Sequence, residues 1–210
     1  MKLLFRILLL CIIALPVLAK DPVVHNPLAR YSDEWNDPKY TACNTAANAS
    51  YLSAKEKEII YVLNLARMNP KLFCKTIVLQ ANTVSSFIDT SSEVYYKSLV
   101  KLMSGMEPLG ILQPDQKCWI SAQCHAASSG KTGYVGHDRQ TAECRKKMTF
   151  RGECCQYGIS EPVAIILELL VDQGVTSLGH REICLGGYKV MSPSFQPHKA
   201  YGSVTVLDFN

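Results

Sequence analysis

YKVMSPSF (Tyr188 to Phe195) and YGSVTVLDF (Tyr201 to Phe209) close the chain, and reading them as strands decides the fold class. In the second, Val204 and Val206 fall on one face at period two, as on a half-buried strand. Pro197-His198-Lys199-Ala200 reads as their connection, which would leave His198 exposed. Everything firmly periodic upstream is helical. Helices early, strands late, and neither βαβ alternation nor an internal repeat together predict an α+β fold in one domain.

Working outward, Ser160-Glu161-Pro162 reads as a helix start, with Ser160 as cap and Pro162 in the first turn. Val163, Ile166, Leu167 and Leu170 supply its buried face, and about ten apolar residues favour a core helix over a membrane span. Gln113 to Ser129 reads as a helix with Pro114 in its first turn and Gly130 just past its end. Ser53 and Glu56 form a capping box, followed by Ile59, Val62, Leu63 and Ala66 on one face, up to Asn69-Pro70. Shorter helices are expected over 70–80 and from Ser92 to Met103. Residues 130–158 lack a sustained period and read as loop. The segment 20–52 reads as an irregular arm before a main domain at 53–210, and Cys43 is a candidate for tying it down.

Three glycine-led motifs fall between positions 136 and 181: Gly136-His137, Gly152-Glu153-Cys154 and Gly179-His180-Arg181. Imidazoles and carboxylates are the groups that hold a divalent metal or move protons. A glycine before each lets the backbone turn sharply or approach a neighbour closely. His125, alone on a helix, is a secondary candidate whose ordinary reading is a satisfied core or surface residue.

Met1 to Ala19 reads as an export signal: Lys2 and Arg6, an apolar Ile7 to Leu18, and a small-residue cut site at Val17-Leu18-Ala19. Acylation at Cys11 would want a small residue where Leu10 stands. Removing 19 of the 210 residues leaves 191, with eight cysteines: Cys43, Cys74, Cys118, Cys124, Cys144, Cys154, Cys155 and Cys184. An even count after an export signal predicts a secreted, extracellular or periplasmic protein reinforced by disulfides. Adjacent Cys154 and Cys155 are expected to pair elsewhere, not with each other. The net charge of +4 loses Lys2 and Arg6 with the signal, and no basic run carries interleaved aromatics, so nucleic acid is not expected as a partner. Nor is a transmembrane anchor expected once the signal is gone.

Several stretches resemble the CAP superfamily, which groups cysteine-rich secretory proteins, antigen 5 and plant pathogenesis-related proteins. They are Leu63 to Pro70, Ser121-Ala122 through Gly130, Gly136-His137, Gly152-Glu153, Gly174 through Arg181, and the terminal His198, Tyr201-Gly202 and Asp208-Phe209. The resemblance implies a three-layer α-β-α sandwich with a cleft lined by two histidines and two acidic residues. His137 and His180 match the histidines, and Glu153 matches the glutamate of a Gly-Glu-Asn motif whose Asn is Cys154 here. Asp172 stands at the second acidic position and Leu169 where the family often has Trp. Glu168, one turn earlier, is the substitute. Family members are associated with sterols and other lipids, glycans and protein targets.

The expectation is therefore a secreted binding module for a lipid, sterol, glycan or protein, its cleft able to hold zinc or another divalent metal. The alternative is a metal-dependent hydrolase with Glu153 as catalytic base. A cysteine nucleophile at Cys154 and a two-carboxylate glycosidase using Glu153 and Asp172 are weaker alternatives.

Overall fold

The computed structural model describes residues 25–210. The export signal Met1–Ala19 and the first residues of the arm lie outside the described residues. Ser53 and Glu56 cap each other as expected, the serine oxygen accepting from Glu56 N and the glutamate from Ser53 N. They start α1 (Ala54–Met68), and Asn69 in turn caps α2 (Pro70–Thr76). Then follow α3 (Ala81–Val84), a π-helical turn Glu93–Lys97 running into α4 (Ser98–Gly105), α5 (Gln116–Thr132) and α6 (Ala142–Lys147). The chain closes with β1 (Gly152–Tyr157), α7 (Pro162–Val171), α8 (Gly179–Cys184), β2 (Met191–His198) and β3 (Gly202–Phe209).

The sheet has the order β1-β3-β2, antiparallel throughout, with Glu153 opposite Asp208 and Cys155 opposite Val206. Alternation along the strands sends neighbours to opposite faces. Val204, Val206 and Cys155 meet Ala122 and Ala126 of α5. Cys154, Leu207 and Phe209 turn the other way, into a larger core with α1 and α7. Helices thus cover both faces, and the fold is α+β. β1 is an edge strand, which leaves its outer side free to line a cleft.

Several local expectations change. β1 and α6 lie inside the segment read as loop; β1 reads poorly as a strand alone because both its faces are buried, which erases the polar–apolar alternation. The cap of α7 is Glu161, whose side chain accepts from Ala164 N, and not Ser160. Asp115 caps α5. Gly130 sits inside α5 and does not end it: a Cβ there would come within 2.1 Å of Pro197 O, so the glycine admits close contact with β2. Pro197 and His198 belong to β2, and His198 is buried, its ring accepting from Ala200 N and Tyr201 N and donating to Tyr134 O. The arm, expected to be irregular, carries two 3₁₀ helices, Asp33–Asn36 and Pro38–Cys43, and is packed. Trp35 and Tyr40 are buried, and Trp35 Nε1 donates to Thr76 Oγ1 at 2.9 Å.

Among the described residues one disulfide is closed, Cys124–Cys144, tying α5 to α6. Cys43, Cys74, Cys118, Cys154, Cys155 and Cys184 are buried thiols. Cys43 anchors the arm by packing instead of by a bridge.

Candidate functional site

The three motifs converge at the outer edge of β1. His137 comes from the loop after α5. Its position is set by the Gly136 peptide, whose N–H donates to Tyr157 Oη at 3.0 Å and whose carbonyl accepts from His125 Nε2 at 2.9 Å. Gly136 has φ +133, which a Cβ would disfavour. His137 Nδ1 donates to Glu153 Oε1 at 2.8 Å. Glu153, on β1, is buried and also accepts from Arg139 through both carboxylate oxygens, while Arg139 donates to His137 O.

His180 opens the other wall. Its Nδ1 donates to Asp172 Oδ1 at 2.7 Å, and its own backbone N–H donates to Asp172 Oδ2 at 2.9 Å, with Arg181 N a longer second donor at 3.3 Å. Asp172 ends α7 in a left-handed conformation (φ +58), and Leu178 starts α8 in another (φ +55). Left-handed backbone costs a leucine roughly 1–2 kcal/mol, so the surrounding contacts hold it there. Arg181 is buried and donates to Leu170 O, Val171 O, Tyr95 O and Ser98 Oγ, binding the start of α8 to the end of α7.

The two imidazole rings stand with centroids 6.3 Å apart. A carboxylate only accepts, so in each neutral ring Nδ1 carries the proton and Nε2 the lone pair. Neither Nε2 has a hydrogen-bond partner among the described residues. A cleft of about 340 Å³ adjoins His180 and is lined also by Asp172, Cys155, Tyr157 and Glu168.

All four expected cleft residues, His137, Glu153, His180 and Asp172, therefore meet here, but in two ranks. The imidazoles face outward and the carboxylates stand behind them. Glu168 lines the cleft wall, yet its carboxyl is hydrogen-bonded to Ser85, and burial pushes its pKa up. His125 is fully buried, its Nε2 donating to the Gly136 carbonyl. Cys154 faces the apolar core away from His137, and burial holds its thiol far above the ordinary range, which leaves it unsuited to nucleophilic attack.

Two charged residues were not read from the sequence as part of the site. Arg139 and Asp208 are both buried, with Arg139 Nη2 3.7 Å from Asp208. Burial alone would raise the Glu153 carboxyl, but hydrogen bonds from His137 and Arg139, with the guanidinium charge, hold it down to about 2. Asp208 goes the other way: burial first, then the Glu153 charge, raise it to about 8. Hydrogen bonding to Glu153 raises His137, against the opposing effect of burial. Asp208 is a lone acid in an apolar strand, a signal that could have been read; Arg139, two residues past His137, carried none.

No family model matches the chain, and no curated protein or solved structure matches it.

Proposed function

We propose that this is a secreted CAP-like domain, an α-β-α sandwich of that type, acting mainly as a binding module for an extracellular lipid, sterol, glycan or protein ligand. Its cleft would hold a divalent ion, zinc or similar, through His137 and His180. The observation that carries this is the pair of outward imidazoles, each with Nδ1 tied to a buried carboxylate and Nε2 left free. Two imidazole nitrogens about 2 Å from a shared ion put their ring centroids roughly 5–6 Å apart, close to the 6.3 Å found. Glu153 and Asp172 then act as the outer carboxylates that fix ring orientation and tautomer. A bound ion would supply an electrophilic position for a ligand oxygen.

The hydrolase reading is weaker because of its base. An efficient general base has a pKa near the working pH, whereas Glu153 is held to about 2 and paired with Arg139. Glu168, on the cleft wall and shifted upward, is what favours that second reading.

Calorimetric titration of zinc into the metal-free chain tests the proposal. The double variant His137→Ala/His180→Ala should bind one equivalent fewer than wild type. An unchanged number of equivalents at unchanged affinity overturns it. Ester, peptide or glycan hydrolysis that disappears in the same variant would move the conclusion to the hydrolase.

A further inference from the structure

Behind the outer pair lies a group of side chains that shares Glu153 with it. His125 of α5 is fully buried. Its Nε2 is committed to the Gly136 carbonyl, and its Nδ1 has no hydrogen-bond partner among the described residues. A buried ring nitrogen left unpaired is destabilising unless a partner reaches it. Cys155 Sγ and a Glu153 carboxylate oxygen complete the group: one donor atom from each of the three lies within 4.8 Å of the others.

We propose that His125 Nδ1, Glu153 and Cys155 Sγ form a buried metal site of their own, fitted to a borderline-soft divalent ion such as Zn²⁺. The donor chemistry selects that class, since thiolate and imidazole favour zinc-like ions over Mg²⁺ or Ca²⁺, and three protein ligands leave a fourth position for water. The outer shell is in place. Gly136 O fixes the His125 tautomer, and Arg139 donates to both oxygens of the carboxylate. Burial lowers the His125 pKa, so the ring is neutral and ready to ligate. Cys155 also lines the cleft, which provides an entry path.

The charges balance. The thiol of Cys155 gives up one proton to solvent, and its thiolate with the Glu153 carboxylate matches the two positive charges of the ion. Arg139, sharing Glu153 with the metal, also lies 3.7 Å from the Asp208 carboxyl. The outer imidazoles are not among its three ligands, although His137 Nδ1 donates to Glu153 and lies 3.8 Å from Cys155 Sγ.

The test uses the full chain, stripped of metal and titrated with Co²⁺ alone. Wild type should develop a near-ultraviolet thiolate-to-cobalt charge-transfer band. The band should persist in His137→Ala/His180→Ala and in Cys154→Ser, whose thiol faces the opposite core, and vanish in Cys155→Ser. Zinc affinity should fall at least about 100-fold in His125→Gln, a loss at least as large as removing an outer-shell partner brings. X-ray absorption on zinc-loaded wild type needs no variant and should find one sulfur at about 2.3 Å. Absence of that sulfur, absence of binding, or a band lost in the outer double variant but kept in Cys155→Ser overturns the proposal. Because the outer site is scored by equivalents and this one by its sulfur, either can fail alone.

Discussion

The two histidine–carboxylate pairs of the cleft share one hydrogen bond and differ in what stands behind it. His180 and Asp172 are eight residues apart, and the remaining oxygen of Asp172 is met by backbone N–H groups at the start of α8. His137 and Glu153 are sixteen apart, on a loop and a strand, and Glu153 is balanced by the buried Arg139 guanidinium beside Asp208. One pair is held by local backbone geometry. The other is held by a buried charge cluster that only the folded sheet assembles. The His137 side should therefore be the more sensitive to charge and pH, and the His180 side to backbone conformation.

The largest expected effect is Arg139→Met. It leaves Glu153 and Asp208 facing each other across β1 and β3 without a cation, and breaking a buried pair by removing one partner costs about 3–5 kcal/mol. Urea denaturation should register that loss; a cost within experimental error would end the claim that charge holds this side. Asp208→Asn should change the pH response. A carboxyl raised in the fold contributes stability that is present below its unfolded value near 3.9 and lost as pH rises through about 8, so the substitution should flatten that part of the stability profile.

Asp172→Ala should cost about 1–3 kcal/mol through the orphaned amides, plus the left-handed backbone penalty at φ +58. Asp172→Asn keeps the conformation and acceptor oxygen and should recover much of that loss in thermal unfolding. Equal damage from both substitutions would make charge, and not backbone geometry, the support of the His180 side.

The smallest effect is the His137 titration, because the side chain is 57% exposed. Its pKa is raised, so its contribution is complete below the unfolded value near 6.5 and is lost as pH climbs through the folded one. NMR titration should find the His137 ring above its ordinary value in wild type and lower in Glu153→Gln. No difference between the two would separate His137 from Glu153 in solution.

Much of the helical frame was legible because its signals are local. The Ser53/Glu56 box lies within one turn, and the α7 stripe repeats within ten residues. β1 was not legible, since burial on both faces removes the period that marks a strand. The cleft residues at 137, 153 and 180 were readable as chemistry-bearing positions and 172 only through the family resemblance, but the separation into outward imidazoles and inward carboxylates was not. That depends on tertiary placement: Glu153 lies on β1, His137 on the loop after α5, Asp172 at the end of α7 and His180 in the first turn of α8.

By itself the sequence determined the α+β class, the helix starts at Ser53 and Pro162, and the three glycine-led motifs at 137, 153 and 180. Such features rest on spacing along the chain, where hydrogen bonds and apolar stripes repeat within a few residues. Tertiary structure alone decided that Arg139 and Asp208 share the Glu153 charge, that His125 Nδ1 is stranded in the core, and that adjacent Cys154 and Cys155 enter opposite environments. These are consequences of burial and cross-strand register, which bring distant residues into a low-dielectric space where a charge or a lone pair must find its partner.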